Sequence, residues 1–165
     1  IPNIQEGETF WLVDPLDGTK EFLNGTDEFT VNIGLVQRHK AVMGIIYAPA
    51  LAEKFSGICL ESPSKPLFEK EVNVITSRHC RNVTLPENMV ATHHVECGSS
   101  LKFCRLAEQK ADIYPRPGRT MEWDTAAGHA ILKSKGGNVY TADWEELTYQ
   151  KSNFANSNFV ALSGG

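Results

Sequence analysis

Two aspartates near the start of the chain have a spacing that could hold a metal ion. Asp14 and Asp17 follow the apolar run 10–13, which is typical of the end of a β-strand. Pro15 lacks a backbone N–H, so we expect the strand ladder to stop at Asp14 and the two carboxylates to share a tight turn. Crowded carboxylates repel each other unless a cation is present. Mg²⁺ prefers oxygen ligands, and this turn offers both carboxylates and the Leu16 carbonyl.

The two residues after Asp17 add groups suited to an anion. Gly18 and Thr19 are predicted to open a short helical turn whose free N–H groups and dipole attract a phosphate. The Thr19 hydroxyl could also orient an attacking water. An isolated Asp-Gly pair is more often a simple turn or a helix cap. A calcium-binding EF-hand loop is excluded because Leu16 breaks the required alternation of oxygen ligands.

A further candidate ligand, Asp124, stands before a run of small residues. Trp123 precedes it, and Ala126, Ala127 and Gly128 follow it. Taken by itself, this pattern indicates a helix with Asp124 as its N-cap and Trp123 as a core aromatic residue. The small side chains would also let the helix approach a sheet closely and carry Asp124 to the first two aspartates.

These two segments resemble the signatures of the lithium-sensitive inositol monophosphatase superfamily. The run 11–22 matches its pattern of an aromatic residue, Asp-Pro-(Ile/Leu)-Asp-Gly-Thr and Phe, and Trp-Asp with small followers matches the second signature. The resemblance implies a phosphatase that uses two or three Mg²⁺ ions. It also implies that Asp14 bridges two metal ions and acts with Thr19 in catalysis. The Leu16 carbonyl would be a metal ligand, and Asp17 and Asp124 would bind both metal and substrate. Gly18 and Thr19 would contact the phosphate.

Two more segments, 98–104 and 111–116, resemble the bisphosphate nucleotidase branch of that superfamily. The resemblance implies that Ser99, Lys102 and Arg116 hold a second phosphate of the substrate. Ser99 and Lys102 are three residues apart and would share one face of a helix, and arginine can bind a phosphate through two hydrogen bonds. An isolated pair such as Lys102 and Arg116 would more often be solvated surface charges.

The substrate that this resemblance implies is a phosphorylated nucleotide. Removal of the 3'-phosphate of adenosine 3',5'-bisphosphate would give AMP and phosphate, and the sulfated analogue would be a second substrate. His79 lies in a segment that resembles one near the nucleoside and is a weaker binding candidate. Inositol monophosphatases carry a Glu near the position of Arg116, so a cation there favours a second anionic group. Two alternatives stay open: an inositol monophosphatase, and a non-catalytic fragment that binds nucleotide or metal.

The elements that must position these residues are strands mixed with helices. β-Branched alternation over 30–36 and 41–47 predicts a hairpin. The remaining patterns predict a strand at 72–76, helices at 99–110 (with Ser99 as N-cap) and 124–135, a hairpin at 138–148 and a loop at 61–71.

The fold class expected from these elements and the resemblance is an α/β (α+β) layered sandwich of the αβαβα sugar-phosphatase type. Residues 1–165 would form one C-terminal portion of a phosphatase. The first metal motif and the hairpin occupy 1–60, and an αβα unit with the substrate residues and the second metal motif occupies 72–165. The N-terminal helical layer is expected to be missing from this chain, together with the upstream metal-binding Glu of the family.

Composition narrows the classes of partner. The 165 residues are 41% hydrophobic and 22% charged, values usual for a soluble globular protein. A net charge of −4 argues against nucleic-acid binding, which needs a basic face. No apolar run approaches the roughly 20 residues of a membrane span. The four cysteines have no metal-binding spacing and are expected to be reduced thiols of a cytoplasmic protein, which could sit peripherally at the inner membrane face. The oligomeric state is left open.

Overall fold

The computed structural model describes residues 4–59, 61, 71–78, 80 and 83–164. The helices are α1 (Thr19–Leu23), α2 (Leu101–Ala107) and α3 (Glu122–Lys133), with a 3₁₀ turn at Ser152–Phe154. The strands are β1 (Phe10–Asp17), β2 (Thr30–Gln37), β3 (Lys40–Ala48), β4 (Glu53–Ile58), β5 (Glu71–Thr76), β6 (Val90–Glu96), β7 (Ile113–Arg116), β8 (Thr120–Met121), β9 (Asn138–Thr141), β10 (Ala155–Asn156) and β11 (Phe159–Leu162).

The first sheet is an antiparallel meander in the order β1-β2-β3-β4. The predicted hairpin is confirmed: β2 pairs with β3 around Arg38 and His39, which both have positive φ, as a tight hairpin turn requires. Every second residue of β2 is buried, from Thr30 to Val36. This alternation gives the sheet an inner face that packs on the helices.

A row of glycines crosses the inner face of this sheet and receives α3. Gly34, Gly44 and Gly57 stand opposite one another on β2, β3 and β4. A Cβ on Gly44 would lie 2.0 Å from the Ala127 carbonyl oxygen of α3. The helix backbone therefore packs directly against the strands, as its small residues predicted. This contact fixes α3 relative to the sheet that carries β1.

The second sheet has the order β6-β5-β7-β11-β9. β5 runs parallel to β6 and β7, whereas β11 is antiparallel to β7 and β9. α3 packs on the first sheet, and α2 contacts both α3 and β7. A shared core joins β1, α2, α3 and β11 through residues such as Leu12, Leu106, Ala130 and Phe159. The described residues thus form sheet, helix and sheet layers, and the predicted α/β layered class is confirmed.

The outer face of the first sheet carries exposed apolar side chains. Trp11, Leu35, Met43 and Ile58 stand in one register across the four strands, and Trp11 and Ile58 are 54% and 67% exposed. An apolar face of this extent indicates a covering element. It agrees with the expected N-terminal helical layer, which stays a prediction.

Some local predictions were wrong at the ends of elements. α2 spans 101–107 rather than 99–110, because Ser99 and Gln109 have positive φ values of 47° and 58° and cannot belong to a right-handed helix. α3 begins at Glu122, two residues earlier than expected. β1 continues through Pro15 to Asp17, where the register with β2 shifts and the proline needs no ladder hydrogen bond.

The remaining local predictions have mixed outcomes. The final hairpin is confirmed by β9 and by a bridge between Tyr140 and Glu146. The strand predicted at 72–76 is confirmed as β5. The loop predicted at 61–71 lies largely outside the described residues. Among the helices of the described ranges, none is long and apolar enough to cross a membrane.

Candidate active site

Three aspartates from the two predicted motifs meet at one end of the layers. Carboxylate oxygens of Asp14, Asp17 and Asp124 lie within 4.8 Å of one another, and each residue is half-buried. Asp14 and Asp17 come from the end of β1, and Asp124 from the first turn of α3. Asp17 and Asp124 are 107 positions apart in the sequence. The contact of α3 with the glycine row brings Asp124 next to the two aspartates of β1. The structure thus brings the three predicted residues together, and their roles as metal ligands stay a prediction.

The irregular end of β1 orients the first of these carboxylates. Asp14 stands opposite Asn32 on β2, and its Oδ1 accepts a hydrogen bond from the Leu16 N–H at 3.0 Å. This Asx-type turn holds the segment around Pro15 without a regular ladder. The Leu16 carbonyl accepts a hydrogen bond from the Thr19 hydroxyl at 3.5 Å. Two predicted site groups, Leu16 and Thr19, therefore lie in direct contact.

Asp17 is fixed by two neighbours that the sequence did not single out. Its Oδ2 accepts hydrogen bonds from the Ser100 N–H at 2.6 Å and from the Asn32 amide at 3.3 Å. Burial raises the pKa of Asp17, and the positive charge of Lys102 offsets part of that shift. The sequence signal for Asn32 was a polar residue at an inward position of β2, and Ser100 gave no separate signal.

Asp124 does not act as the N-cap of α3, contrary to its simplest interpretation. It is the third residue of the helix, and its Oδ2 accepts the N–H of the cap residue Met121 at 2.7 Å. Burial raises the pKa of Asp124 to about 6, and the charges of Asp17 and Asp14 add to the effect. Its carboxylate therefore caps a free N–H at the start of α3 and also lies close to the other two acids.

These groups fit a hard divalent cation. In addition to the effect of burial, the charge of Asp14 raises the pKa of Asp17, and the charges of Asp17 and Asp14 raise the pKa of Asp124. A cation among these acids would remove that repulsion. Within the described ranges, they are the cluster of acidic, histidine or cysteine side chains with the geometry to hold a metal ion. Leu16 borders the same cleft, and its carbonyl could add a neutral oxygen ligand. The chemistry of the donors suits Mg²⁺ better than a metal that prefers nitrogen or sulfur.

The turn at Gly18, for which anion binding stays a prediction, lies beside these acids. Gly18 has a φ of 83° and precedes α1, whose Phe22 N–H bonds back to the Gly18 carbonyl at 2.9 Å. A Cβ on Gly18 would lie 3.0 Å from the Ser99 Cβ, so both its conformation and its packing favour glycine. Gly18 and Thr19 both border the cleft.

Lys102 is a buried residue, so its interpretation as a solvated surface charge was wrong. It is 5% exposed, and its Nζ donates hydrogen bonds to the carbonyls of Ser99 at 2.6 Å and Cys97 at 3.2 Å. Burial lowers the pKa of Lys102, and the negative charge of Asp17 opposes the shift. Lys102 and Ser99 do not share a helix face, because Ser99 lies before α2; the lysine instead reaches back to the Ser99 backbone.

Arg116 lies at the end of β7 on the same cleft. It is half-buried, and its guanidinium donates a hydrogen bond to the Pro117 carbonyl at 3.1 Å. The cleft has a volume of about 660 Å³, and all the predicted site residues in the described ranges line it. His79 lies outside the described residues. The lining that sequence reasoning did not assign to the site includes Ser77, Cys80, Ser100, Phe103, Tyr114, Thr120, Trp123, Thr125 and Phe159.

Comparison with known proteins connects these features to one family. Residues 2–163 match the model of the inositol monophosphatase family. A curated relative, the 3'(2'),5'-bisphosphate nucleotidase CysQ of Buchnera aphidicola, is 43% identical over 169 residues, which cover 93% of this chain and 64% of the relative. CysQ of Escherichia coli strain K12 is 35% identical over 173 residues, 94% of this chain and 68% of the relative.

Comparison with solved structures connects the fold of the chain to the same family. The crystal structure of CysQ from Bacteroides thetaiotaomicron matches with a TM-score of 0.78 and 34% identity, over 95% of this chain and 70% of that chain. The chain thus spans 64–68% of the length of these curated relatives. Both signature motifs and nearly all of the residues lie within the matched range. The chain belongs to the inositol monophosphatase family.

Proposed function

We propose that the protein is a Mg²⁺-dependent phosphomonoesterase that removes the 3'-phosphate of adenosine 3',5'-bisphosphate, giving AMP and phosphate. The sulfated analogue of this nucleotide would be a second substrate. The observation that carries the proposal is the meeting of three carboxylates with Lys102 and Arg116 along one cleft. The curated relatives are named as bisphosphate nucleotidases, and they supply independent support.

The acidic groups would hold the metal ions. Asp14, Asp17, Asp124 and the Leu16 carbonyl would together hold these ions. When bound, Mg²⁺ would neutralise phosphoryl charge and make a nearby water more acidic. The Asx-type turn and the Ser100 N–H keep the ligand carboxylates in place before any ion arrives.

The residues beside the acids would bind and orient the reacting groups. The N–H groups after Gly18 would bind the transferred phosphate, and the Thr19 hydroxyl would hold the attacking water. No cysteine or serine nucleophile is needed, because water attacks phosphorus directly. Positioning and charge neutralisation would supply most of the rate.

The two cations that line the same cleft, Lys102 and Arg116, would select a substrate with two phosphates. Lys102 is held by two carbonyls and so presents its charge without freedom to swing away. Arg116 is half-buried at a strand end and can offer a planar pair of donors. Ser99 places its backbone between Lys102 and the anion-binding turn. A simple phosphomonoester would use the metal site but leave these cations unpaired.

An Arg116→Ala variant tests this selection. Loss of a charge-assisted contact corresponds to about 10- to 100-fold in kcat/KM for the bisphosphate, with little change for a simple phosphomonoester such as p-nitrophenyl phosphate. Arg119→Ala is the matched control, because Arg119 is exposed and does not border the cleft. Equal losses on both substrates, or the same loss in the control, would refute the role of Arg116.

The two alternatives have separate tests. Faster phosphate release from inositol 1-phosphate than from the bisphosphate nucleotide would favour an inositol monophosphatase. Metal binding without phosphate release by the 165-residue chain would favour a non-catalytic fragment. Four free cysteines fit a reducing compartment, and we infer a cytoplasmic enzyme that could also sit at the inner membrane face.

A further inference from the structure

Asn156 is a buried amide that contacts the start of α3. It is 2% exposed and pairs with Thr120 in the short ladder between β8 and β10. Its amide nitrogen donates to the Met121 carbonyl at 3.1 Å, and to the hydroxyls of Thr120 and Thr125 at 3.2 and 3.0 Å. One side chain therefore links both residues that flank the Met121–Asp124 turn.

Met121 connects this amide to the carboxylate of Asp124. Its N–H bonds to Asp124 Oδ2 at 2.7 Å, and its carbonyl accepts the bond from Asn156. Thr125, the other end of the amide contact, follows Asp124 directly in the helix. A movement of the Met121 backbone would consequently turn the Asp124 carboxylate away from Asp14.

We propose that Asn156 is a positioning residue for the metal site, one that holds Met121 so that Asp124 faces Asp14 and Asp17. The inference rests on the proposed function only in that these acids bind a divalent cation. Residues that orient a ligand from behind typically change metal affinity by about 10- to 100-fold when removed. No contact between Asn156 and the ion itself is required.

The helix start has a second attachment that should keep the variants folded. The fully buried Glu122 carboxylate accepts the N–H groups of Gln150 and Lys151, each at 2.9 Å. This attachment holds the first residue of the helix through contacts that do not involve Asn156. Removing the Asn156 amide should therefore loosen the first turn without detaching α3.

The experiment measures Mn²⁺ affinity by electron paramagnetic resonance in an Asn156→Ala variant. We expect about tenfold weaker binding. Asn158→Ala is the matched control, since exposed Asn158 contacts Gly118 rather than α3, and it should bind Mn²⁺ like the parent. Asn156→Leu, which keeps a similar size and loses the donor without adding a charge, should behave like the alanine variant. Parental affinity in both Asn156 variants would overturn the proposal.

A double-mutant cycle separates positioning from general stability. In an Asp124→Asn background, Asn156→Ala should lower the Tm as before but should not weaken Mn²⁺ binding further. The same additional loss of affinity in that background would contradict action through Asp124. Hydrogen exchange of the metal-free protein gives a further readout: the Met121 amide should lose protection in Asn156→Ala, and unchanged protection would also overturn the proposal.

Failure of the proposed function would look different from failure of this inference. A parent protein that binds Mn²⁺ but releases no phosphate would refute the phosphatase activity and leave the role of Asn156 standing. A parent that hydrolyses the bisphosphate, with Asn156 variants of unaltered metal affinity, would refute only the positioning role.

Discussion

A methyl group added at Gly44 should disturb both the stability of the protein and its metal site. The added Cβ would lie 2.0 Å from the Ala127 carbonyl oxygen and 2.7 Å from the carbonyl carbon. Both atoms belong to the helix backbone, so no side-chain rotation can relieve the overlap. The helix must shift on the order of 1 Å to restore a normal separation.

The loss of stability expected for Gly44→Ala can be compared with that expected for alanine at two other glycines. Overpacking of a rigid contact costs about 2 kcal/mol, which corresponds to a Tm lowered by roughly 4–8 °C in a chain of this size. Gly34→Ala should cost less, since its Cβ would meet Ala126 at 2.8 Å rather than 2.0 Å. Gly25→Ala is the control for conformation alone, because it has a φ of 69° and no atom near its missing Cβ.

Thermal unfolding followed by circular dichroism, with and without Mg²⁺, is the assay. Ala127 lies three residues after Asp124, so a helix shift should also move this ligand. We therefore expect Gly44→Ala to reduce the Mg²⁺-dependent gain in Tm as well as the Tm itself, whereas Gly25→Ala should keep the full gain. A Gly44→Ala protein with the parental Tm would refute the close packing of α3 on β3.

Three further outcomes are expected. Asp14→Asn should abolish Mg²⁺-dependent phosphate release, because it removes the charge shared by the proposed metal positions; retained turnover would misplace the site. Mn²⁺ affinity should be lower at pH 5 than at pH 8, since burial and the charges of Asp17 and Asp14 raise the pKa of Asp124 to about 6 and protons then compete with metal; a flat profile would contradict this. His129 should remain neutral, because burial lowers its pKa to about 4, and its ring proton signals in NMR should not titrate between about pH 5.5 and 8; a midpoint near 6.5 would oppose its burial.

The first metal motif was predictable because its chemistry is local. Asp14, Asp17 and Gly18 lie within five positions, and the spacing of acids, proline and glycine already indicated carboxylates on a turn next to an anion site. The hairpin of β2 and β3 followed from β-branched alternation. The helix at Asp124 followed from small residues, although its first turn begins two residues earlier than expected.

The parts that escaped prediction depend on contacts between distant segments. β7 and β11 are four residues each, and neither has a pattern that reveals its partner in the second sheet. The burial of Lys102 arises because α2 packs against α3 and β7, contacts that the sequence of α2 alone does not reveal. Asn156 stands in a polar stretch, and only the folded chain brings it to Met121.

The most direct test of the account is to locate bound Mn²⁺ by anomalous diffraction from crystals of the protein. The account predicts an anomalous peak coordinated by carboxylate oxygens of Asp14, Asp17 and Asp124, next to the turn at Gly18. Density at another position, or a saturated crystal with no ion among these three acids, would contradict it.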